Sequence, residues 1–409
     1  MSAEHIQSLV ADINRAAETY TPEVNPPYLS TATSRHQLLA AARKLVTALE
    51  DPEEEVWRFV LQPGAHACAI AAWQCRLLAP WPKERMTAAE LAGHVNVDQV
   101  LVVRIMRALQ HYGIFSEVEE EVYEHNAFST RLSTPPINQS ALPMAIRIRE
   151  IAKLPEYLAH IAYRNPGADP SQPSLFQWAN NTDLEFFQWM QTQTQSDTLA
   201  KFNAAMATSI ETERANSSGK TFLDIYPFER VLADAQPEET VVVDVGGGYG
   251  HLLREIRRQH PQIRGKMVLE DLPETVKGAV VGSADNVDIQ PYDFFAQEQP
   301  VRGARLYILR HVLHDWSDHA CRQILKNTIP ALVQGKSKIL LVEVVLPPTN
   351  ASVWGSLMDI NMMKYSGMGR KERQWRELLE SVGLEIVRIW PPVKNDSVME
   401  VVPKGWVER

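Results

Sequence analysis

Glycines are concentrated in one short stretch of the chain, VDVGGGYG at residues 243–250, directly after an apolar run. Gly246, Gly248 and Gly250 stand at alternate positions, and Asp244 precedes them. Glycine has no side chain, so a ligand can lie against the backbone of such a loop where a strand ends. A lone glycine loop is weak evidence of a site, and a structural turn is the alternative explanation.

The spacing of these glycines favours one kind of ligand over another. A nicotinamide dinucleotide site reads GxGxxG, which needs a further glycine where His251 stands. The observed GxGxG spacing behind an acid suits a ligand whose amino-acid end lies at the loop. We therefore predict S-adenosylmethionine as the cofactor, with S-adenosylhomocysteine as its product form.

Acidic residues end or follow the next two apolar runs. Glu270 and Asp271 end KMVLED, and Asp293 with Phe294 follows VDIQPY. In open α/β sheets, ligands bind outside the carboxyl ends of the strands, and an acid after the second strand hydrogen bonds to ribose hydroxyls. A carboxylate beside an aromatic ring can bind an adenine amino group while the ring covers the base. Because neighbouring residues of a strand face opposite ways, only one of Glu270 and Asp271 can face the cofactor.

A histidine follows the fourth apolar run, in LRHVLHDWSD at residues 309–318. A single histidine is more often structural than catalytic. The position of His314 beside the inferred methyl donor favours a base, since imidazole titrates near neutral pH and can take a hydroxyl proton. A carboxylate would orient the ring, and Glu343 and Glu372 are the candidates. We predict methyl transfer to an oxygen with His314 as general base, and no metal is implied.

The elements that must hold these residues alternate along the second half of the chain. Seven apolar runs of strand length are mostly separated by helical patterns. This alternation predicts an α/β, Rossmann-like domain with a seven-stranded, mostly parallel sheet and helices on both faces. Only PPVKND separates the last two runs, LEIVRIW and SVMEVVP, so they should form an antiparallel hairpin. We assign residues 221–409 to this S-adenosylmethionine-binding domain.

The first half of the chain is mainly helical. Apolar residues at helical spacing predict amphipathic helices over 6–17 and 35–49, the second ending at an acidic break, DPEEE. A run of small apolar residues predicts a buried helix over 66–78. We assign residues 1–182 to a helical N-terminal domain and residues 183–220 to a helical connector.

Between residues 87 and 124 the pattern is that of a winged helix. A capping box of Thr87 and Glu90 opens one helix, a turn and a second helix up to Gly113 follow, and a short hairpin ends the unit. The hairpin reads EVEEEVYE, and its acids would repel the phosphates of DNA. With a net charge of −9 for the chain, we expect dimerisation and no nucleic-acid partner.

Composition limits the remaining possibilities. The chain has 409 residues, of which 45% are hydrophobic and 22% charged, as in globular proteins. No apolar run approaches the roughly 18 residues of a membrane span, and the N-terminus lacks a secretory pattern. Cys68, Cys75 and Cys321 have no metal or redox spacing. We therefore expect a cytoplasmic protein with reduced thiols and no membrane partner.

These motifs resemble those of the plant caffeic-acid-type and fungal secondary-metabolite O-methyltransferases, which are class I S-adenosylmethionine-dependent enzymes. The resemblance covers nearly the whole chain and is strong in residues 241–385. There VDVGGGYG, LEDLPETV and PYDFF resemble the cofactor motifs, and HDWSD resembles the catalytic stretch. It implies a small-molecule natural product as substrate, methylated on a phenol or enol. It also implies an interlocked homodimer in which each subunit adds residues to its partner's pocket.

Carried over by position, the resemblance implies roles for three sets of residues. The cofactor would be held by Asp244, Gly246, Gly248, Gly250, Asp271, Leu272, Asp293, Phe294 and Arg310. Catalysis would use His314 as base, flanked by Glu343 and Glu372, with Asp315 as a supporting acid. The substrate cavity would include Phe202, Met206 and Met362, for which ordinary packing is the alternative.

Some positions depart from the family pattern, and two other functions stay open. Arg310 and Tyr249 stand where many members have lysine and threonine, and KYSGMGR lacks an Asn-Pro that several plant enzymes have, which argues against a phenylpropanoid substrate. A pericyclase of the same fold would use the bound sulfonium as a fixed charge without transferring its methyl group. Such relatives have replaced the catalytic histidine, which is present here. A DNA-linked pseudo-enzyme would use the winged helix, against which the acidic hairpin argues.

Overall fold

The computed structural model of the chain divides into two compact units. The first comprises Met1–Val24 with Ser30–Ile146, and the second comprises Asn25–Leu29 with Arg147–Arg409. The structure describes residues 2–20, 34–134, 137, 148–192, 199–203, 205–206, 220–349, 351–393 and 396–407. Among these residues, no helix has the length and apolar character needed to cross a membrane.

The division between the units does not fall at the predicted boundary, residue 182. Helices Ile148–Ala152, Leu154–His160 and Leu175–Asn180 belong to the second unit. Apolar packing is the reason, because the ring of Phe176 lies 5.3 Å from Phe186 and 6.5 Å from Tyr365. Of the predicted connector 183–220, the structure describes a helix at Phe186–Thr192 and short helical pieces between residues 199 and 206, and the rest lies mostly outside the described residues.

Three helices begin the first unit: α1 (Ala3–Glu18), α2 (Ser34–Leu49) and α3 (Pro52–Gln74). The first two confirm the predicted helices. The third begins much earlier than predicted, because Asp51 caps it by accepting from the N–H of Glu53 and Pro52 fits its first turn. The acidic segment DPEEE, which we expected to interrupt the helices, therefore starts one. This helix is also less buried than predicted, with Ala72 its one fully buried residue among those described.

The remaining elements of the first unit include the predicted helix, turn, helix and hairpin, with an additional strand before them and an additional helix after them. They are β1 (Arg85–Thr87), α4 (Ala88–Val95), α5 (Gln99–His111), β2 (Ser116–Glu119), β3 (Val122–Glu124) and α6 (Ala127–Ser133). The capping box is confirmed, since the side chain of Thr87 accepts from the N–H of Glu90 and that carboxylate accepts from the N–H of Thr87. The strands form a small antiparallel sheet in the order β1-β3-β2.

The second unit is built on a mostly parallel sheet. Its strands are β4 (Thr240–Val245), β5 (Lys266–Asp271), β6 (Val287–Pro291), β7 (Leu306–Arg310), β8 (Lys338–Leu346), β9 (Arg370–Lys371), β10 (Leu384–Val393) and β11 (Asp396–Pro403). Seven of them lie in the order β10-β11-β8-β7-β4-β5-β6, and β9 pairs with β8 outside that path. The seven predicted strands are present, β9 is an addition, and β10 and β11 form the predicted antiparallel hairpin.

Helices cover both faces of this sheet. They are Phe228–Val231, His251–Gln259, Pro273–Val276, Asp318–Thr328, Val353–Met362 and Glu372–Glu380. Alternate residues of one strand enter different cores: Val243 packs with Trp375 in one core, and Val242 packs with Ile256 in the other. Burial on both faces explains the continuous apolar runs of the sequence. The carboxyl ends of β4, β5, β6 and β7 meet at one edge, where ligands bind in sheets of this kind.

Candidate active site

The glycine loop begins where β4 ends. Gly246, Gly248 and Gly250 have φ values of +72°, +61° and +82°, a region that residues with a Cβ atom rarely adopt. A Cβ atom on Gly246 would lie 3.0 Å from Val312, whereas one on Gly248 would have a single neighbour, Asn203, at 3.8 Å. The backbone at Gly248 is thus open to close approach by a ligand.

Asp271 lies beneath this loop, at the end of β5. Its Oδ2 accepts from the N–H of Gly248 at 2.8 Å, and its Oδ1 accepts from the N–H of Leu272 at 2.7 Å. Burial raises the pKa of Asp271, and these two hydrogen bonds oppose the rise. Glu270 is fully buried and accepts instead from Nε2 of Gln299 at 2.7 Å. The main-chain carbonyl of Glu270 accepts from Gly246 and Gly247, but of the two carboxylates it is that of Asp271 that hydrogen bonds to the glycine loop.

Asp244 is buried at the base of the loop. Its Oδ2 has no hydrogen-bond partner within the described part of the chain. Burial raises the pKa of this carboxyl to about 7, although the positive charge of Arg310 opposes the rise. A buried oxygen without a partner is costly, and the cationic amino-acid end of S-adenosylmethionine would satisfy it. The open glycine backbone and this carboxylate therefore fit the predicted cofactor.

Aromatic side chains continue the site after β6. Asp293 accepts from the N–H of Phe295 at 2.9 Å, which fixes the turn that carries Phe294. The ring of Phe294 lies 4.9 Å from that of Phe295 and 6.2 Å from that of Trp316. It also approaches within 3.8 Å of the Cβ position of Gly246. A flat apolar surface thus stands beside the glycine loop, as binding of an adenine ring requires.

His314 lies in the short 3-10 turn Leu313–Asp315, just after β7. Its Nδ1 is 2.8 Å from Oε2 of Glu343, and its Nε2 is 3.5 Å from Oδ1 of Asp315. Glu343 projects from β8 and is fully buried, and its Oε1 accepts from the N–H groups of Leu313 at 3.0 Å and His314 at 3.3 Å. One carboxylate therefore orients both the ring and the turn that carries it.

These contacts determine the protonation states of His314 and Glu343. Burial lowers the pKa of His314, but the negative charges of Glu343 and Asp315 outweigh it and raise the pKa to about 9. Burial raises the pKa of Glu343, but the nearby imidazolium outweighs it and lowers the value. Burial raises the pKa of Asp315 to about 6, with His314 opposing the rise. At neutral pH the pair is an imidazolium beside a carboxylate, and Nε2 is the ring atom left to exchange a proton with a ligand.

Arg370 stabilises the turn Leu313–Asp315, a role that sequence reasoning missed. Its buried guanidinium donates to the carbonyl oxygens of Leu313 at 3.0 Å and Trp316 at 2.9 Å, and to Oδ1 of Asp318 at 2.8 Å. A guanidinium supplies several donors in a fixed plane, which suits it to satisfying carbonyls that a tight turn leaves unpaired. The turn is thus held by Glu343 from one side and by Arg370 from another.

Glu372 is not brought to His314. It begins helix Glu372–Glu380, where its exposed carboxylate accepts from Arg376 at 2.7 and 2.9 Å. The helix buries Trp375, Leu378 and Leu379, and Glu372 lies on its exposed side. The second carboxylate near the ring is Asp315.

The three predicted substrate residues are placed differently from one another. Met362 is buried in an apolar cluster that includes Phe176, Phe186 and Tyr365, and Phe202 packs against it. Met206 is 44% exposed and is not part of this cluster.

The aromatic cluster reaches the catalytic turn through one ring. Phe187 lies 5.9 Å from Phe202 and 5.6 Å from Trp316, which follows the turn directly. Trp316 in turn lies 4.7 Å from Phe295, near the cofactor side of the site. A continuous set of aromatic contacts therefore extends from Phe295 to Phe202, which packs against the cluster that contains Met362.

Comparisons with known proteins agree with this geometry. Residues 180–385 match the O-methyltransferase domain family. A methyltransferase of Aspergillus candidus, cfoC, is 33% identical, and the alignment covers 97% of this chain and 98% of that protein. The crystal structure of OxaC in complex with SAH and oxaline has a TM-score of 0.85 at 25% identity, covering 98% of this chain and 99% of that one.

Two further solved structures are also similar to this chain. LepI in complex with SAM has a TM-score of 0.78 at 25% identity, and a structure described as a pericyclic reaction enzyme has the same values; each comparison covers 98% of this chain and 100% of the other. Because the family match spans half of the chain and the fungal relative is similar from end to end, the chain belongs to the S-adenosylmethionine-dependent O-methyltransferases.

Proposed function

We propose that the protein methylates a phenol or enol oxygen of a small natural product, with His314 as the general base. The contact of 2.8 Å between Nδ1 of His314 and Oε2 of Glu343 carries this proposal. It leaves Nε2 to take the hydroxyl proton, and the buried carboxylate stabilises the imidazolium that results. S-adenosylmethionine supplies an electrophilic methyl group on its sulfonium. The protein's task is to align the oxygen with that group and remove its proton.

The residues around the glycine loop would hold the cofactor. The backbone of Gly246, Gly248 and Gly250 would lie against its amino-acid end, and the unpartnered Oδ2 of Asp244 supports a cationic group there. Asp271 would accept from the ribose hydroxyls, since each of its oxygens accepts one main-chain hydrogen bond and retains a free lone pair. The set is completed by Leu272, Asp293, Phe294 and the backbone near Arg310.

We propose that the acceptor hydroxyl belongs to a flat, largely apolar molecule with a polycyclic or polyketide-like skeleton. Support comes from the aromatic cluster that includes Phe202, Met362 and Tyr365 and that reaches Trp316 through Phe187. Aromatic walls bind flat rings by stacking and by burial of apolar surface. Asp315, 3.5 Å from Nε2 of His314, would assist by balancing the charge of the protonated ring.

A pericyclase is the second candidate, because an enzyme described in that way has the same overall fold. The presence of His314 with its buried carboxylate favours methyl transfer, since a base is needed when an oxygen must lose a proton. Mass spectrometry of product and cofactor after turnover tests the choice. A product heavier by one methyl group together with S-adenosylhomocysteine supports our proposal, and an isomerised product with unchanged cofactor contradicts it.

We propose further that the first unit is a winged-helix domain through which two copies associate. Large apolar side chains of α2 and α3 are exposed: Leu49 by 64%, Trp57 by 63%, Phe59 by 77% and Leu61 by 65%. Several exposed large apolar side chains in one region of the chain are typical of a protein interface. The acidic hairpin supports this use over DNA binding, and the free thiols of the described cysteines are compatible with the cytoplasm.

A further inference from the structure

A second histidine–carboxylate pair lies beside the catalytic one. Nε2 of His311 is 2.8 Å from Oδ1 of Asp396, a buried carboxylate at the start of β11. The other oxygen of Asp396 accepts from Arg310 at 3.3 Å. Asp396 therefore contacts Arg310 and His311, which Val312 separates from the turn Leu313–Asp315.

The two histidine rings face each other. The ring centroids of His311 and His314 are 5.3 Å apart, and the ring planes are inclined by only 26°. His314 thus has Glu343 at the edge of its ring and His311 against its face. Rotation of the His314 ring out of the plane in which Nδ1 meets Glu343 would collide with the neighbouring ring.

The backbone of His311 has a strained conformation, which its contacts must maintain. Its φ is +52°, a left-handed conformation that is strained for a residue other than glycine. The N–H of His311 donates to the carbonyl oxygen of Val342 at 3.0 Å. With the side chain held by Asp396 and the main chain held by β8, the chain can turn sharply from β7 into the segment that carries His314.

We propose that His311 and Asp396 are positioning residues for the catalytic base, acting together to fix the His314 ring at its angle to Glu343. The proposal rests on the proposed function, in which His314 takes the proton. It adds a third carboxylate, from β11 next to β8, to Glu343 and Asp315 as residues on which the reaction depends.

The charges around His314 give the proposal a specific readout. Charged or titratable side chains whose fields act on His314 or on its carboxylate partners are Glu343, Asp315, Asp396, Arg310, His311, Lys364 and Arg370. Burial lowers the pKa of His314, and the negative charge of Asp396 is among those that oppose this and raise it. Burial would raise the pKa of Asp396 itself, but His311 and Arg310 outweigh it and keep the carboxylate ionised. Neutralising Asp396 should therefore lower the pKa of His314.

The test compares Asp396→Asn with Glu400→Gln. The second variant neutralises another buried carboxylate of the same strand, which pairs with Lys338 at 2.5 Å. We would follow the ring resonances of His314 by NMR as the pH is varied, identifying them by their loss in His314→Asn. In parallel we would measure kcat and the KM for the acceptor. Asp396→Asn should lower kcat by roughly ten- to a hundredfold at nearly unchanged KM, as expected for a displaced base. It should also move the titration midpoint of His314 down by up to roughly one pH unit.

A second substitution keeps the test informative if Asp396→Asn does not fold. His311→Ala should lower kcat in the same way, and His311→Gln, which keeps a donor for Asp396, should restore part of it. Wild-type kcat and an unchanged midpoint, or equal effects in Glu400→Gln, would overturn the positioning role while leaving the base assignment intact. Turnover retained in His314→Asn would instead overturn the proposed function.

Discussion

Oε2 of Glu343 lies 2.8 Å from Nδ1 of His314, while Oε1 of the same carboxylate accepts from the main-chain N–H of His314 at 3.3 Å. The buried side chain of Glu343, on β8, therefore fixes both the ring and the main-chain N–H of His314, which lies in the turn after β7. Because Glu343 is not exposed, water does not screen its charge, and the interaction with the ring is strong.

We expect His314→Ala to lower kcat by about 10² to 10⁴, the usual contribution of a general base. Binding of S-adenosylmethionine should change little, since the proposed cofactor residues lie at the ends of β4, β5, β6 and β7 and in the loops that follow, and do not include His314. Turnover of the acceptor and calorimetric titration of the cofactor measure the two quantities. Methylation at a near-wild-type rate would show that another group removes the proton.

The pH dependence follows from the pKa of His314, which is raised to about 9. The neutral ring is the minor form at neutral pH, and its fraction rises about tenfold per pH unit until the pKa is reached. We expect kcat/KM to rise with pH and level off near pH 9. The measurement needs an acceptor whose own hydroxyl does not titrate in this range. A flat profile below pH 8 in the wild type contradicts the assignment.

Glu343→Gln should shift the pH at which kcat/KM levels off. The charge of Glu343 raises the pKa of His314, so its removal should move the plateau of kcat/KM to lower pH. Glutamine can still accept from the N–H groups of Leu313 and His314, which preserves the turn. We expect a lower kcat at the plateau as well, because the protonated ring loses its counter-charge. A plateau at the wild-type pH would show that Glu343 does not set the charge of the ring.

Asp271→Ala should weaken binding of S-adenosylmethionine by roughly ten- to a hundredfold, since a charge-assisted hydrogen bond contributes about 1.5 to 3 kcal/mol. Glu270→Gln serves as the control, because Glu270 is buried against Gln299 and not beneath the glycine loop. Calorimetry on both variants measures the affinities. If Glu270→Gln lost more affinity than Asp271→Ala, the assignment of the ribose acid would have to be exchanged.

The seven strands and their catalytic ends were predictable because local patterns determine them. Continuous apolar runs mark strands buried on both faces, and alternation along a strand separates Asp271 from Glu270. The boundary between the units was not predictable in this way. Residues 148–180 are helical like the N-terminal domain, but the contacts of Phe176 with Phe186 and Tyr365 join them to the sheet.

Long-range contacts explain what the sequence did not reveal about the site. Asp396 meets a histidine 85 residues away, and Arg370 meets the carbonyl oxygen of Leu313, 57 residues away. No local spacing signals such pairs. Glu372 was predicted as a partner of His314 from the similarity of its motif to that of the family. It lies instead on the exposed side of a helix, where it pairs with Arg376.

Arg370→Leu should lower the free energy of unfolding by about 2 to 4 kcal/mol, because it removes the charged donor from the buried carbonyl oxygens of Leu313 and Trp316. Arg373→Leu is the control, since Arg373 pairs with Glu377 at the surface, and its loss should cost less than about 1 kcal/mol. Denaturant titration of both proteins measures the difference. Equal stabilities would mean that the turn does not depend on Arg370.

Phe59→Asp should convert the proposed dimer to a monomer, because it places a charge among the exposed apolar side chains of α3. Tyr163→Asp is the control, since Tyr163 is equally exposed, by 77%, but lies in the second unit. Sedimentation velocity distinguishes the two masses. A wild-type protein that sediments as a monomer would exclude association through the exposed apolar side chains of α3.

The proton-accepting pair and the aromatic cluster come from separate parts of the chain. His314 and Glu343 are carried by the sheet, whereas Phe176, Phe186 and Phe202 lie on helical segments before it. Exchanges among those rings would reshape the proposed substrate surface without replacing either His314 or Glu343. Duplicated copies of such a gene can therefore acquire new acceptors by substitution in the helices alone. The same separation makes these helices the place to begin redesigning the enzyme for an acceptor of choice.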